Sequence, residues 1–226
     1  AIAVSGNPVI GVADLKRELA RLAFPSDADA AAESTLPDLF DVAVSRAEGR
    51  VRRLFEERLR VDRARTPERF DKWFGMPWKR HYTLNIDDLD EVVMGRASLP
   101  RSITSISASN HLAVQTPDLL SVHLNGRLTD FPHVTFSVRQ YARRAGMPDP
   151  WYELLTTDLL SNPVLFVGTG LEEPGLWQHI EMRSVRNQGD VELRPPSYRV
   201  SPALAPARAA LLRRFNVDWV QATEQE

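Results

Sequence analysis

Residues 83–88 read Thr-Leu-Asn-Ile-Asp-Asp, and they set an amide and a carboxylate two residues apart where a strand is predicted to end. That strand is predicted over residues 81–84. Open α/β sheets bind their ligands at the carboxyl ends of parallel strands. We therefore expect Asn85 and Asp87 to lie at the ligand-binding edge of a mostly parallel sheet.

Strand-like and helix-like stretches alternate on both sides of this segment. The alternation predicts an α/β, Rossmann-like fold, with a mostly parallel sheet and helices on both faces. One domain over residues 1–226 is the economical interpretation, with an excursion from the sheet at residues 130–150. Strands are predicted at residues 81–84, 103–106, 119–124, 164–167, 198–201 and 217–220, and helices at 14–22, 39–61, 151–160, 174–186 and 206–214.

The helix predicted over residues 39–61 is the longest and is amphipathic. Its spacing places Val44, Val51, Leu54, Phe55 and Leu59 on one side, with arginines and glutamates elsewhere. An apolar stripe of this width is typical of a helix that covers a core.

Composition excludes several classes of protein. The 226 residues are 43% hydrophobic and 26% charged, which allows one sizeable core. A formal charge of -2 gives no overall field that would attract nucleic acid or an anionic membrane. The absence of cysteine excludes disulfides and thiolate nucleophiles, and only five scattered histidines could join carboxylates as metal ligands. We expect a cytoplasmic domain with no metal and no membrane span.

Two further turns carry small residues that suit contact with a ligand. Residues 5–8 read Ser-Gly-Asn-Pro, and residues 168–170 read Gly-Thr-Gly after an apolar run. Glycine permits positive φ and close backbone approach, and the Thr169 hydroxyl could reach a ribose or a phosphate. Taken alone, the second turn is equally typical of an ordinary strand-to-helix connection.

The order of these segments resembles the sirtuins. Residues 83–87 match the sirtuin Thr-x-Asn-Ile-Asp segment beside the ribose of NAD, and residues 164–171 resemble the strand and turn that end Gly-Thr-Ser-Leu. Residues 5–8, followed by 11–16, match the part that comes after the sirtuin Gly-Ala-Gly-x-Ser turn. Deacetylating sirtuins carry a four-cysteine zinc ribbon. The chain is therefore similar to the zinc-free sirtuin-like domains of bacterial antiphage defence proteins, which implies no zinc ribbon and no lysine deacetylation.

The resemblance implies which residues contact NAD, the substrate. Asn85 would orient a water or a ribose hydroxyl while positive charge develops on the sugar. Asp87 keeps two roles, one beside the cofactor and one as the cap of the next helix. The implied cofactor-binding residues are Ser5, Asn85, Asp87, Asn125, Gly168, Thr169 and Gly170.

The second implied catalytic residue is His123, within residues 119–126 (Leu-Leu-Ser-Val-His-Leu-Asn-Gly). This stretch resembles the sirtuin strand that holds the catalytic base, but Asn125 stands where the family has His. Positions i and i+2 of a strand face the same side, so the His123 side chain could face the same pocket as Asn125, about 6–7 Å further back along the strand. From there it could act as a base through one intervening water. The alternative is that His123 is a buried, hydrogen-bonded core residue.

The resemblance implies an effector that hydrolyses NAD to nicotinamide and ADP-ribose after phage infection is sensed. It implies a homo-oligomer and a fused or associated sensor module, such as a STAND-type ATPase, an Argonaute-like protein or a helicase-like ring, with no nucleic acid bound by this domain. We expect the chain to be part of a larger protein and nearly inactive in isolation. Two alternatives stay open: a non-catalytic module that binds NAD or ADP-ribose, and an assembly domain joined through exposed tryptophans.

Overall fold

The chain forms two compact units, residues 1–147 and 148–226. The structure, a computed structural model, describes residues 2–31, 33–96, 99–107, 118–146, 149–169, 171, 176–178, 181 and 195–222. Each unit contains a three-stranded, all-parallel sheet with helices, so the expected Rossmann-like α/β class is confirmed. That residues 1–226 form a single domain stays a prediction.

The first unit joins a helical layer to a sheet of order β1-β3-β2. Register aligns the strand ends, with Thr83 of the first strand opposite His123 of the middle strand, which in turn lies opposite Ser107. The elements are α1 (Val12–Ala23), α2 (Ala28–Ala31), α3 (Leu36–Arg58), α4 (Arg69–Gly75), β1 (Arg80–Thr83), α5 (Leu89–Met94), β2 (Ile103–Ser107), β3 (Leu119–His123) and α6 (Val138–Ala145).

Helix α3 confirms the amphipathic prediction and corrects its bounds. It begins at Leu36, three residues earlier than expected, because the Thr35 side chain accepts a hydrogen bond from the Asp38 amide at 3.3 Å and caps the helix. Non-helical backbone at Ala47 marks a kink, and the helix ends at Arg58. The predicted apolar side is buried or partly buried in the core of this unit.

The core beneath α3 is aromatic. Phe40 and Phe55 are each 1% exposed, and their ring centroids lie 5.9 Å apart in a stacked arrangement. Phe131 meets Phe55 edge to face at 5.4 Å, and Phe136 stacks on Phe40 at 5.1 Å. Residues 130–150, expected outside the sheet, thus include two rings that close this core, those of Phe131 and Phe136.

One face of the first sheet is unusually polar. Pairing sets His81, Ser121 and Ser105 side by side across the three strands. Helix α5 covers this face, where Val93 packs with Phe74, Ile103 and Leu119. A buried row of polar side chains must find hydrogen-bond partners within the protein.

The second unit has a sheet of order β4-β5-β6. Its first helix begins at Pro150, where Asp149 accepts hydrogen bonds from the Trp151 and Tyr152 amides at 3.1 and 3.3 Å. The helix predicted over residues 174–186 lies mostly outside the described residues. The elements are α7 (Pro150–Ser161), β4 (Leu165–Val167), β5 (Ser197–Ser201), α8 (Pro206–Arg213) and β6 (Val217–Gln221). In the described part of the chain, no helix is long and apolar enough to cross a membrane.

Candidate functional site

The carboxyl ends of β1 and β3 bring two predicted site residues together. The Leu124 amide donates to the Thr83 carbonyl at 2.8 Å and extends the pairing beyond the strands. One residue further on, the Asn125 side-chain amide donates to the Leu84 carbonyl at 3.1 Å. Asn125 is therefore bound to the residue that immediately precedes Asn85, at the edge where open α/β sheets bind ligands.

Asn85 is exposed, and its backbone is held at two points. Its amide donates to the Thr83 hydroxyl at 3.0 Å, and its carbonyl lies 3.0 Å from Nδ1 of His123. A side chain that reaches solvent from a fixed backbone can orient a ligand with little further loss of backbone entropy.

Asn125 is 5% exposed, and its amide oxygen is buried without a hydrogen-bond partner in the described part of the chain. Its amide nitrogen already donates to Leu84, and its backbone carbonyl accepts from the Thr135 amide at 2.8 Å. Leaving a buried acceptor unsatisfied costs about 1–3 kcal/mol. A ligand group that donates a hydrogen bond, such as a hydroxyl, would recover that energy.

His123 is buried, and both of its nitrogens face acceptors. Nδ1 lies 3.0 Å from the Asn85 carbonyl, and Nε2 lies 3.0 Å from a carboxylate oxygen of Asp90. Burial by itself would lower the pKa of His123, but the hydrogen bond and charge of Asp90 raise it above its ordinary value, with help from the Asn85 carbonyl and Asp87. An imidazole that donates from both nitrogens has no lone pair to accept a proton. That His123 acts as a base stays a prediction, and it requires one of these hydrogen bonds to open.

Asp90, in the first turn of α5, is the residue that sequence reasoning missed. It is 2% exposed. Burial by itself would raise the pKa of this carboxyl, but the hydrogen bond and charge of His123, together with the Ser121 and Ser105 hydroxyls, lower it to about 2. The sequence shows Asp90 only as one of several acids in Asp-Asp-Leu-Asp-Glu, a pattern typical of a solvated helix start.

A second histidine extends this network into the core. Nδ1 of His81 lies 2.9 Å from the Ser121 hydroxyl. The Ser121 hydroxyl also helps to lower the pKa of Asp90. Burial lowers the pKa of His81 to about 4, against the opposing charge of Asp90, so this ring is neutral at pH 7.

The neutral state of His81 predicts a pH-dependent stability. The unfolded chain binds a proton at His81 near pH 6.5, whereas the folded chain binds it near pH 4, so protons favour unfolding between these values. Because of this group, the free energy of unfolding of the unmutated protein (the parent) should fall by about 2 kcal/mol between pH 7 and pH 5. His81→Asn keeps a side-chain amide that can hydrogen-bond to Ser121, and it should lack that loss. Urea unfolding at both pH values measures it, with exposed His133→Asn as the matched control. Equal losses in His81→Asn and the parent would contradict the assignment.

The acidic residues after β1 mainly organise the loop. Asp87 accepts a hydrogen bond from the Leu89 amide, the first of α5, at 3.2 Å, whereas the N-cap residue of α5 is Asp88, whose side chain makes no capping hydrogen bond. Burial raises the pKa of Asp87. Asp88 accepts from the Val61 amide at 2.7 Å, and burial raises its pKa also. Contact of Asp87 with a cofactor stays a prediction.

The turn that carries Ser5 is joined to the same loop. Ala3 pairs with Val61 in an antiparallel bridge, and Val61 is the residue whose amide binds Asp88. Ser5 is exposed within the turn, and Gly6 has a φ of 83°, which favours glycine. The structure thus connects the Ser5 turn to the loop after β1 through Val61.

The remaining predicted residues belong to the second unit. Gly168 is exposed after β4 with a φ of 69°, as expected for a turn that requires glycine. The Thr169 hydroxyl accepts a hydrogen bond from the Leu171 amide at 3.0 Å. Gly170 lies outside the described residues.

Within the described ranges, no group of three or more His, Asp or Glu side chains is placed to hold a metal ion. Comparison of the sequence with protein-family models finds no match, and comparison with curated proteins finds no significant similarity.

Proposed function

We propose that this chain is the NAD-hydrolysing effector domain of a bacterial antiphage defence protein, which cleaves NAD to nicotinamide and ADP-ribose. One observation carries the proposal: the exposed Asn85 and the unpartnered amide oxygen of Asn125 lie at the carboxyl ends of adjacent parallel strands. The resemblance of residues 83–87 to the sirtuin segment supports NAD as the ligand.

The proposed reaction needs no acid for its leaving group. Nicotinamide carries a positive charge within NAD. When the bond between its nitrogen and the ribose C1′ breaks, the nitrogen keeps both bonding electrons, and nicotinamide departs as a neutral molecule. Positive charge then develops on the ribose. Water adds to C1′, and its proton passes to solvent. The task left to the protein is to orient the sugar and the water, which positioned amides can do.

Asn125 suits the sugar-binding part of this task. Its buried amide oxygen can accept a hydrogen bond from a ribose hydroxyl, while its nitrogen remains bound to the Leu84 carbonyl. A site that offers a buried acceptor discriminates against ligands that lack the matching donor. The proposal therefore includes selectivity for the intact ribose over a deoxy sugar.

A non-catalytic module that binds NAD or ADP-ribose is the second candidate. The observation in its favour is that His123 has both nitrogens engaged and that Asn125 cannot act as a base at neutral pH. For an assembly domain joined through exposed tryptophans, Trp151 is excluded because it is 1% exposed, whereas Trp73 and Trp78 are half-buried, with ring centroids 5.0 Å apart.

The proposal extends to regulation and partners. Assembly into a homo-oligomer by a sensor module, of STAND-type ATPase, Argonaute-like or helicase-like character, would switch on hydrolysis in the cytoplasm. The near-balanced charge of the chain, 28 basic against 30 acidic residues, supports leaving nucleic-acid recognition to that module. The isolated chain is then expected to be nearly inactive.

Turnover of fluorescent etheno-NAD by the full-length, activated protein tests the proposal, and calorimetric binding of NAD and ADP-ribose accompanies it. Hydrolysis to nicotinamide and ADP-ribose supports the effector. Binding without turnover supports the second candidate, and neither binding nor turnover rejects both.

Variants of Asn125 sharpen the test. Asn125→Leu keeps the side-chain size but removes both polar atoms, and we expect NAD to bind at least about 10-fold more weakly, the cost of about one hydrogen bond. Asn125→His restores the residue of the resembled family. A gain in rate would show that the natural site is attenuated, whereas an unchanged rate would agree with a reaction in which the water proton passes to solvent. Unaltered NAD affinity in Asn125→Leu would contradict the ribose contact.

A further inference from the structure

The polar network under α5 ends at the backbone of Asn85. It runs from His81 through the Ser121 hydroxyl to Asp90, then to His123 and the Asn85 carbonyl. Strands β1 and β3 and helix α5 are thus linked by hydrogen bonds to the loop that carries the proposed catalytic amide.

The acceptors on either side of His123 determine which of its nitrogens carry protons. The Asn85 carbonyl can only accept, so Nδ1 of His123 carries a proton, and ionised Asp90 can only accept, so Nε2 carries one as well. His123 is therefore an imidazolium paired with the Asp90 carboxylate. Both side chains are 2% exposed, which removes the screening by water that weakens surface pairs.

We infer that Asp90 is a positioning residue: by holding His123 as an imidazolium, it fixes the Asn85 carbonyl and thereby the direction of the Asn85 side chain. The inference rests on the proposed function. Hydrogen bonds from a charged donor are shorter and stronger than neutral ones, so the charged form of His123 holds the loop more firmly than a neutral ring would. In this arrangement His123 transfers no proton during turnover.

Other ionisable groups around the pair support the same charge state. Asp87, on the loop, helps to raise the pKa of His123, whereas His81 on β1 is held neutral. Asp88 on the loop and Glu91 on α5 also interact with Asp90 and add negative charge on this side, and Glu91 is in turn paired with Arg127 at 3.5 Å. The negative charges of Asp90 and Asp87 thus favour a positive charge on His123.

The first part of the test measures the charge state of His123 and does not depend on NAD hydrolysis. Nitrogen NMR of the full-length protein, labelled at its histidines, should show both nitrogens of His123 protonated from pH 6 to pH 8. Asp90→Asn keeps the shape but replaces the carboxylate, so His123 should become neutral at pH 7 and the carbonyl carbon signal of Asn85 should shift. Asp38→Asn, an exposed acid in the first turn of α3, is the matched control. A neutral His123 in the parent, or an unmoved Asn85 signal in Asp90→Asn, would overturn the inference.

The second part of the test measures kcat and KM for NAD hydrolysis. Asp90→Asn should lower kcat for NAD by about 10-fold with little change in KM, because the loop would bind NAD but hold Asn85 less firmly. The kcat of the parent should stay level from pH 6 to pH 8, whereas a catalytic base would give a rate that falls below its pKa. A falling rate, or full kcat in Asp90→Asn, would overturn the inference. If the parent hydrolyses no NAD, the proposed function fails, and the NMR arm still decides whether Asp90 holds His123 and Asn85.

Discussion

Asn85→Ala is expected to reduce NAD turnover by the activated, full-length protein by at least about 10²-fold, a barrier increase of about 2.7 kcal/mol. Asn85 is exposed on a backbone held by Thr83 and His123, so removing its amide should remove positioning without disturbing the fold. Solvent cannot replace that positioning, because free water is not oriented relative to the ribose.

The measurement is initial-rate etheno-NAD hydrolysis together with thermal unfolding. Asn162→Ala, which removes an amide at the end of α7, is the control for loss of an asparagine elsewhere. The free energy of unfolding should be nearly the same in Asn85→Ala and the parent. Retention of more than a tenth of the parent rate by a folded Asn85→Ala would remove Asn85 from the proposed chemistry.

Phe55→Ala should lower the free energy of unfolding of the first unit by about 3–5 kcal/mol, since it removes a large buried ring and leaves a cavity. Phe55 is 1% exposed and meets Phe40, Phe131 and Phe136 with centroid distances of 5.9, 5.4 and 5.8 Å. Its neighbours come from α3 itself and from the segment that holds Phe131 and Phe136, so the structure can collapse around the gap only in part.

Denaturant unfolding monitored by circular dichroism checks this value. Val12→Ala is the comparison, because Val12 is 66% exposed and contributes little buried surface. A loss below about 1 kcal/mol in Phe55→Ala would mean that the aromatic cluster repacks and is not the main core of this unit.

The positions of helices and strands were largely predictable, because periodicity and capping act over a few residues. The strand predicted at residues 119–124 is observed at Leu119–His123, and the helix predicted at 206–214 is observed at Pro206–Arg213. The start of α3 was missed by three residues, since the cap at Thr35 precedes the first clearly periodic apolar position. Such errors at element ends are expected when a cap and an apolar stripe do not coincide.

The candidate site was predictable only in part. The pattern Thr-Leu-Asn-Ile-Asp-Asp by itself placed Asn85 after a strand and Asp87 at a helix start, because strand ends and caps are local features. It contained no sign that His123 and Asp90, 33 residues apart in sequence, would form a buried pair.

The sequence by itself therefore determined the α/β class, the order of the elements and the lack of cysteine chemistry. Only the tertiary structure decided the raised pKa of His123, the buried acceptor of Asn125 and the contact of Asp90 with His123. The reason is physical: each of these properties depends on desolvation and on hydrogen-bond partners from distant strands, and neither exists until the sheet and α5 have packed together.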